Sequence, residues 1–220
     1  MMIKLIAYVL LCLACNQAVS QTITTITEIH IREKYDKCKL KNKIKFELFR
    51  RAYKGMEKLK LPRNILTIID FDKPSTQKRF WVIDLTKEKL LFETYTAHGK
   101  NSGYLYATKF SNTPASNQSS LGFYKTEKTY QGEHGYSLRL KGLEKSINDK
   151  AMERAIVIHG AIYVGEDFIR KHKRLGRSWG CPALPTELST KIIDAIKGGT
   201  CLYIHAHNED YEQKSAYWEK

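Results

Sequence analysis

The chain opens on an apolar run. Leu5 to Ala14 carries no charge, Lys4 is the lone charge before Gln21, and Ala18-Val19-Ser20 puts small residues where a signal peptidase reads them. The pattern predicts a signal peptide over residues 1–20, too short to span a bilayer comfortably, with a mature start near Gln21. Cys15 follows Leu13-Ala14, a poor lipidation box. Residues 21–37 mix Thr, Ile and charge without a clear period, and read as a tether. Leu40, Ile44, Leu48, Ala52, Met56 and Leu59 then recur at helical spacing, with Lys and Arg on the other face. This predicts an amphipathic helix closing an N-terminal segment, residues 21–61, before Pro62. Such a helix can lie on a membrane surface, but more often it packs on its own domain.

Beyond Pro62 the pattern changes to short β-branched and aromatic runs. Ile65–Phe71, Phe80–Leu85, Leu90–Ala97, Leu121–Thr126, Tyr136–Leu140, Ala155–Ile158 and Cys201–Ala206 read as strands. Thr86-Lys87-Glu88-Lys89 suits a hairpin. Gly99 to Ser120 is a polar loop of a length that usually serves function. Thr186 is placed to cap a helix from Glu187 to Lys197, ended by Gly198-Gly199. The sum is a mainly β domain with a few packed helices, with no repeats and no second domain boundary.

Composition narrows the classes. Hydrophobic residues make up 42%, enough for a packed core. No phosphate-cradling glycine loop is present, so nucleotide chemistry has no footing. Lys and Arg number 37 against 23 Asp and Glu, giving +14. The basic residues are spread along the chain without a nucleic-acid module, so no nucleic-acid partner is expected. A peripheral contact with a membrane or with anionic envelope polymers fits better, and a solvated basic surface explains the charge as well. Removing the leader leaves Cys38, Cys181 and Cys201. An odd count in an exported chain leaves a thiol unpaired or paired between chains.

The chemistry concentrates between Ile158 and Leu184. A strand end delivers His159, and a glycine-containing turn, Arg177-Ser178-Trp179-Gly180, delivers Cys181. A thiolate nucleophile needs a neighbouring base or cation to lower its pKa. Gly180 removes a side chain beside the sulfur, letting backbone N–H groups approach a substrate oxygen. By spacing alone, two such residues need not be related at all.

The blocks His159-Gly160 and Ser178-Trp179-Gly180-Cys181 resemble the signature of the L,D-transpeptidases, the YkuD-like fold, and most closely the murein L,D-transpeptidase catalytic domain family. Ile69-Asp70-Phe71, Ala97-His98-Gly99-Lys100-Asn101-Ser102-Gly103, Ser119-Ser120-Leu121-Gly122-Phe123, His134-Gly135 and Asn148-Asp149 follow the same order. The resemblance implies an L,D-transpeptidase-like β-sandwich or barrel over residues 62–208, with 209–220 as a tail. It implies Cys181 as nucleophile on peptidoglycan tetrapeptide stems, His159 as base, Ser178, by hydroxyl or backbone carbonyl, as orienter of the imidazole, and backbone N–H groups near Gly180 and Cys181 as the oxyanion hole. Arg177, Trp179, His98, Ser120 and Gly122 are the expected substrate contacts. No metal or cofactor is needed, a monomer is expected, and the cell envelope outside the cytoplasm is the implied location.

Two positions depart from the better-known branch: Trp179 stands where a second His is common, and Ala183 where an Arg is common. Arg177 and Arg174 are then the nearest cations for a substrate carboxylate. Water in place of an acceptor amine would make the same site an L,D-carboxypeptidase. Two other classes remain: a non-catalytic envelope-binding protein, and a zinc peptidase built on His205 and His207. A papain-like peptidase would place Cys before His, opposite to this chain.

Overall fold

A computed structural model describes residue 25 and residues 27–218. The signal peptide expected over 1–20 lies outside the described residues. Residues 27–37 form a helix (α1) where the sequence shows no period. Ile31 and Tyr35 make its buried stripe, continued by Cys38 in the turn just past its end and diluted in the sequence by charged neighbours. The helix is docked rather than free: the Tyr35 hydroxyl donates to the Ile44 carbonyl at 2.6 Å, and Lys34 pairs with Glu88 at 2.7 Å.

The amphipathic helix α2 spans Phe46–Leu59. It starts later than Leu40 because Lys39 and Asn42 hold positive φ and turn the chain first, although Leu40 and Ile44 are buried all the same. Its apolar face, Leu48, Phe49, Ala52 and Met56, packs on its own sheet. Each large side chain so buried stabilises by roughly 1.5–3 kcal/mol. The approach is close: a Cβ on Gly55 would stand 2.0 Å from the Phe123 ring. Lys60, at φ 47, ends the helix.

One mixed sheet of eight strands follows: β1 Ile65–Asp70, β2 Phe80–Asp84, β3 Lys89–Thr94, β4 Gly122–Gly132, β5 Gly135–Gly142, β6 Val157–Ala161, β7 Ala183–Pro185 and β8 Cys201–His205. Their spatial order is β3-β2-β1-β8-β4-β5-β6-β7. The pairs β1·β8 and β6·β7 are parallel and the others antiparallel. β1, β2 and β8 are buried at every position, as their unbroken apolar runs require. With five helices among the described residues, the fold is mainly β with packed helices.

β4 and β5 run past their expected ends, and β6 continues to Ala161, so His159 sits inside a strand rather than at its end. Helix α3, Glu166–His172, lies between His159 and Cys181 and buries no residue, which leaves no apolar stripe to read. Helix α4, Thr186–Ile196, has Pro185 at its cap position, so Thr186 is its first residue and not its cap. Helix α5, Glu209–Lys214, is capped by the Asn208 side chain, which accepts from the Tyr211 N–H at 2.8 Å. Buried Glu144 ties α5 to the sheet, accepting from the Phe123 N–H at 2.7 Å and the Tyr211 hydroxyl at 3.2 Å.

Candidate active site

His159 is delivered by register. It pairs with Ser137 of β5 on one side and Ala183 of β7 on the other, and is only 2% exposed. Its Nδ1 lies 3.0 Å from the Gly160 carbonyl. A carbonyl only accepts, so Nδ1 carries the proton and Nε2 holds the lone pair. Burial pushes the imidazole below its ordinary pKa, with His134 acting in the same direction and the Gly160 carbonyl opposing.

Cys181 ends the turn that enters β7. The Ser178 hydroxyl donates to the Cys181 carbonyl at 2.6 Å and accepts from the Gly180 N–H at 3.1 Å, closing the turn on itself. Gly180 sits at φ +128, where a Cβ would stand 2.8 Å from the Gln118 carbonyl, so the turn needs glycine. The polar loop braces it from outside. Gly99 N–H donates to Ser119 Oγ, Ser119 Oγ–H to the Gly180 carbonyl, and Ser178 N–H to the His98 carbonyl.

Cys181 and His159 line one cavity of about 460 Å³, with Tyr130, Glu133, His134, Arg154, Tyr163, Arg177, Ser178 and Trp179. The sulfur accepts from the Val157 N–H at 3.4 Å, and the thiol points to the Ala155 carbonyl at 3.7 Å. Burial pushes the thiol pKa up, while the Val157 N–H and the Arg154 guanidinium pull it down. The expected lowered thiol pKa is therefore not the resting state. With the thiol raised and the imidazole lowered, burial favours the uncharged form of each.

Arg154 carries no recognisable motif, yet it lines this cavity and pulls on the thiol's pKa. Its Nη1 donates to the Ser120 hydroxyl at 2.9 Å and to the Ser111 carbonyl, and its Nη2 to the Gln118 carbonyl and Ser116 Oγ. All these partners are neutral, so none of them cancels its charge. Arg177 lines the cavity, with Nη1 donating to the Lys100 and Gly103 carbonyls at 3.1 Å each. Arg174 lies over the Tyr104 ring at 4.6 Å. Trp179 is 77% exposed at the cavity's edge.

The structure does not bring the remaining expected contacts into this cavity. The His98 ring is fully buried, with Nδ1 accepting from Arg79 Nη2 at 2.8 Å, and its pKa is pushed down to about 3 by burial and then by Arg79. Ser120 faces Tyr124 and Arg154, holding the cation rather than a ligand. Gly122, at φ +97, packs where a Cβ would meet the Glu144 carboxylate at 2.2 Å. Ser178 spends its hydroxyl on the turn rather than on the imidazole, and the Gly180 N–H is taken by that same hydroxyl.

Cys38, Cys181 and Cys201 are all free thiols. His205 and His207 do not converge: His205 pairs with Asp72 at 3.2 Å and His207 with Glu212 at 3.0 Å. Among the described residues, the one group of donors close enough to share a metal ion is Asp70, Asp72 and His205, with ligand atoms within 4.8 Å of one another. Both Asp72 oxygens already accept, from His205 and from the His207 N–H. No helix among the described residues is long and apolar enough to cross a membrane.

A thiol and an imidazole sharing one cleft at the end of a mixed sheet define the class, a cysteine–histidine site on a mainly β scaffold. The family model of the L,D-transpeptidase catalytic domain matches residues 40–205, and the chain belongs to that family. No curated protein sequence matches it. Among solved structures it is similar to an L,D-transpeptidase from Mycobacterium smegmatis, at 13% identity and TM-score 0.41, covering 65% of this chain and 59% of that one. It is also similar to the helical cell shape determining protein Pgp2 from Campylobacter jejuni, at 13% identity and TM-score 0.44, covering 72% of this chain and 56% of that one. An L,D-transpeptidase from Stackebrandtia nassauensis shows 16% identity and TM-score 0.38, covering 81% and 77%. The chain thus spans less than two thirds of the first two.

Proposed function

We propose that this chain is an exported peptidoglycan L,D-transpeptidase that uses Cys181 as nucleophile and His159 as general base. The observation that carries the reading is the shared cavity: the sulfur and the base, distant in sequence, line one open cleft. The thiol proton passes to His159 Nε2 as the sulfur bonds to the carbonyl of the L-centred third residue of a tetrapeptide stem. The oxyanion develops under the field of Arg154, which lowers the cost of negative charge at the sulfur in the resting state. The bond to the terminal D-alanine breaks, and its nitrogen takes the proton from His159. An amine on a D-centre of a second stem then attacks the thioester, His159 accepts the amine proton and returns it to the sulfur as the carbon–sulfur bond breaks, and a 3–3 crosslink forms. Arg177, at the cavity wall, receives a stem carboxylate, and Trp179 flanks the stem. The net positive charge suits the anionic polymers of the envelope.

The test is a stem assay with product mass analysis, run on the chain without its leader. A dimeric 3–3 product, lost in Cys181→Ser, is expected. Release of D-alanine without dimer would reassign the chain as an L,D-carboxypeptidase, and turnover surviving in Cys181→Ser would remove the nucleophile assignment.

A further inference from the structure

The β4–β5 hairpin closes on Glu133-His134, between the paired glycines Gly132 and Gly135. Gly135 adopts φ +72, a conformation cheap for glycine and strained for other residues. This tip lies on β6 because β5 pairs with β6 through Ser137 and His159. The His134 ring stacks on the His159 ring, with centroids 4.3 Å apart and planes 22° from parallel. His134 is exposed and His159 buried, so one face of the base is roofed by a second imidazole with solvent beyond it.

We propose that His134 is a positioning residue for His159: its ring roofs the buried imidazole, holds its plane toward the cleft of Cys181, and disfavours a positive charge beside it. This rests on the assignment of His159 as base. Near-parallel rings at this spacing meet face to face and do not hydrogen-bond, so the pair acts through contact and charge. Both lead to the same result. A base tied at Nδ1 to the Gly160 carbonyl keeps Nε2 aimed, and a neighbour that resists a second charge keeps Nε2 unprotonated to lower pH. The other titratable groups facing the cavity are Tyr130 from β4, Glu133 at the tip, Arg154 before β6, Tyr163 after it, and Arg177 and Cys181 at the turn. Arg154 and Arg177 oppose an imidazolium and Glu133 favours one, while His134 is the group in ring contact.

The experiment follows Cys181 alkylation by iodoacetamide with intact-mass readout across about pH 4 to 9, and the His159 ring signals by NMR over the same range. In the unsubstituted protein the alkylation rate should track the His159 titration, and His159→Ala should erase that dependence. If it persists in His159→Ala, the thiol–imidazole assignment itself fails. With the dependence in place, His134→Phe keeps an aromatic ring on His159 without the imidazole nitrogens, and His134→Ala removes both. The His159 midpoint should rise in both, because His134 acts against a positive charge on the ring it stacks on. The plateau alkylation rate should fall in His134→Ala and be restored in His134→Phe. A His159 midpoint unmoved in both variants would overturn the proposal while leaving the thiol–imidazole pair standing.

Discussion

His98-Gly99 and His159-Gly160 are the same dipeptide in one chain, and the fold gives them opposite fates. At His98 every hydrogen-bonding position is spent. Nδ1 accepts from Arg79, Nε2 faces the Gly103 carbonyl at 3.4 Å, and Arg79 gives its other donors to the Thr96 and Lys73 carbonyls. At His159 one nitrogen is spent and the other is left at a cavity wall. Both rings are buried and both are pushed to lower pKa, so neither burial nor the shift separates His98 from the histidine proposed as base. Unspent hydrogen-bond capacity facing an open cleft does. Cys181 and Cys201 repeat the lesson: Cys201 lies fully buried in β8, while Cys181 opens on a cavity.

Removing each ring should therefore break different things. His159→Ala should lower turnover by about 10²–10⁴-fold, the usual share of a general base, with a smaller loss of stability than His98→Ala, since no buried cation depends on its ring. Steady-state rates and a thermal melt on one preparation check both halves. His98→Ala should do the reverse. It takes one acceptor, the His98 Nδ1, from the fully buried Arg79 guanidinium and opens a cavity, and should cost about 3 kcal/mol in chemical denaturation. Because Ser178 leans on the His98 backbone and not on its ring, the activity of the molecules still folded should hold. Loss of activity without loss of stability in His98→Ala would erase the distinction between the two sites.

The sheet's frame was legible in the sequence because β1, β2, β3 and β8 are dense β-branched runs bounded by turn residues. α4 was legible through its own spacing and its glycine stop. α3 was not, since it buries nothing, and α1 was not, since Ile31, Tyr35 and Cys38 are too sparse to mark a face. Asn208 ahead of Glu209 and Asp210 did carry a cap signal for α5. In the site, Cys181 and His159 were legible because a motif fixes both. Arg154 and His134 reach the cleft only through strand register and hairpin geometry, which leave no local pattern. The same dipeptide pattern that marked His159 also drew His98 into the expected site, because sequence shows the residue and not which of its nitrogens is already engaged.

Acid sharpens the comparison further, through the effect of His98 alone. Its pKa in the folded protein is about 3, against 6.5 for an ordinary imidazole. Above pH 6.5 neither the folded nor the unfolded chain binds this proton, and pH acts on nothing here. Between 6.5 and about 3 the unfolded chain binds it and the folded chain does not, so stability falls as pH falls. The contribution approaches about 1.4 kcal/mol for each unit of pH once well below the unfolded value. Asn at position 98 keeps an acceptor close to the place of Nδ1 but cannot titrate. Denaturation midpoints measured through this window should therefore fall less steeply in His98→Asn than in the unsubstituted chain. Equal slopes would mean that His98 takes up its proton inside the folded protein, and that the Arg79 contact does not keep the ring neutral.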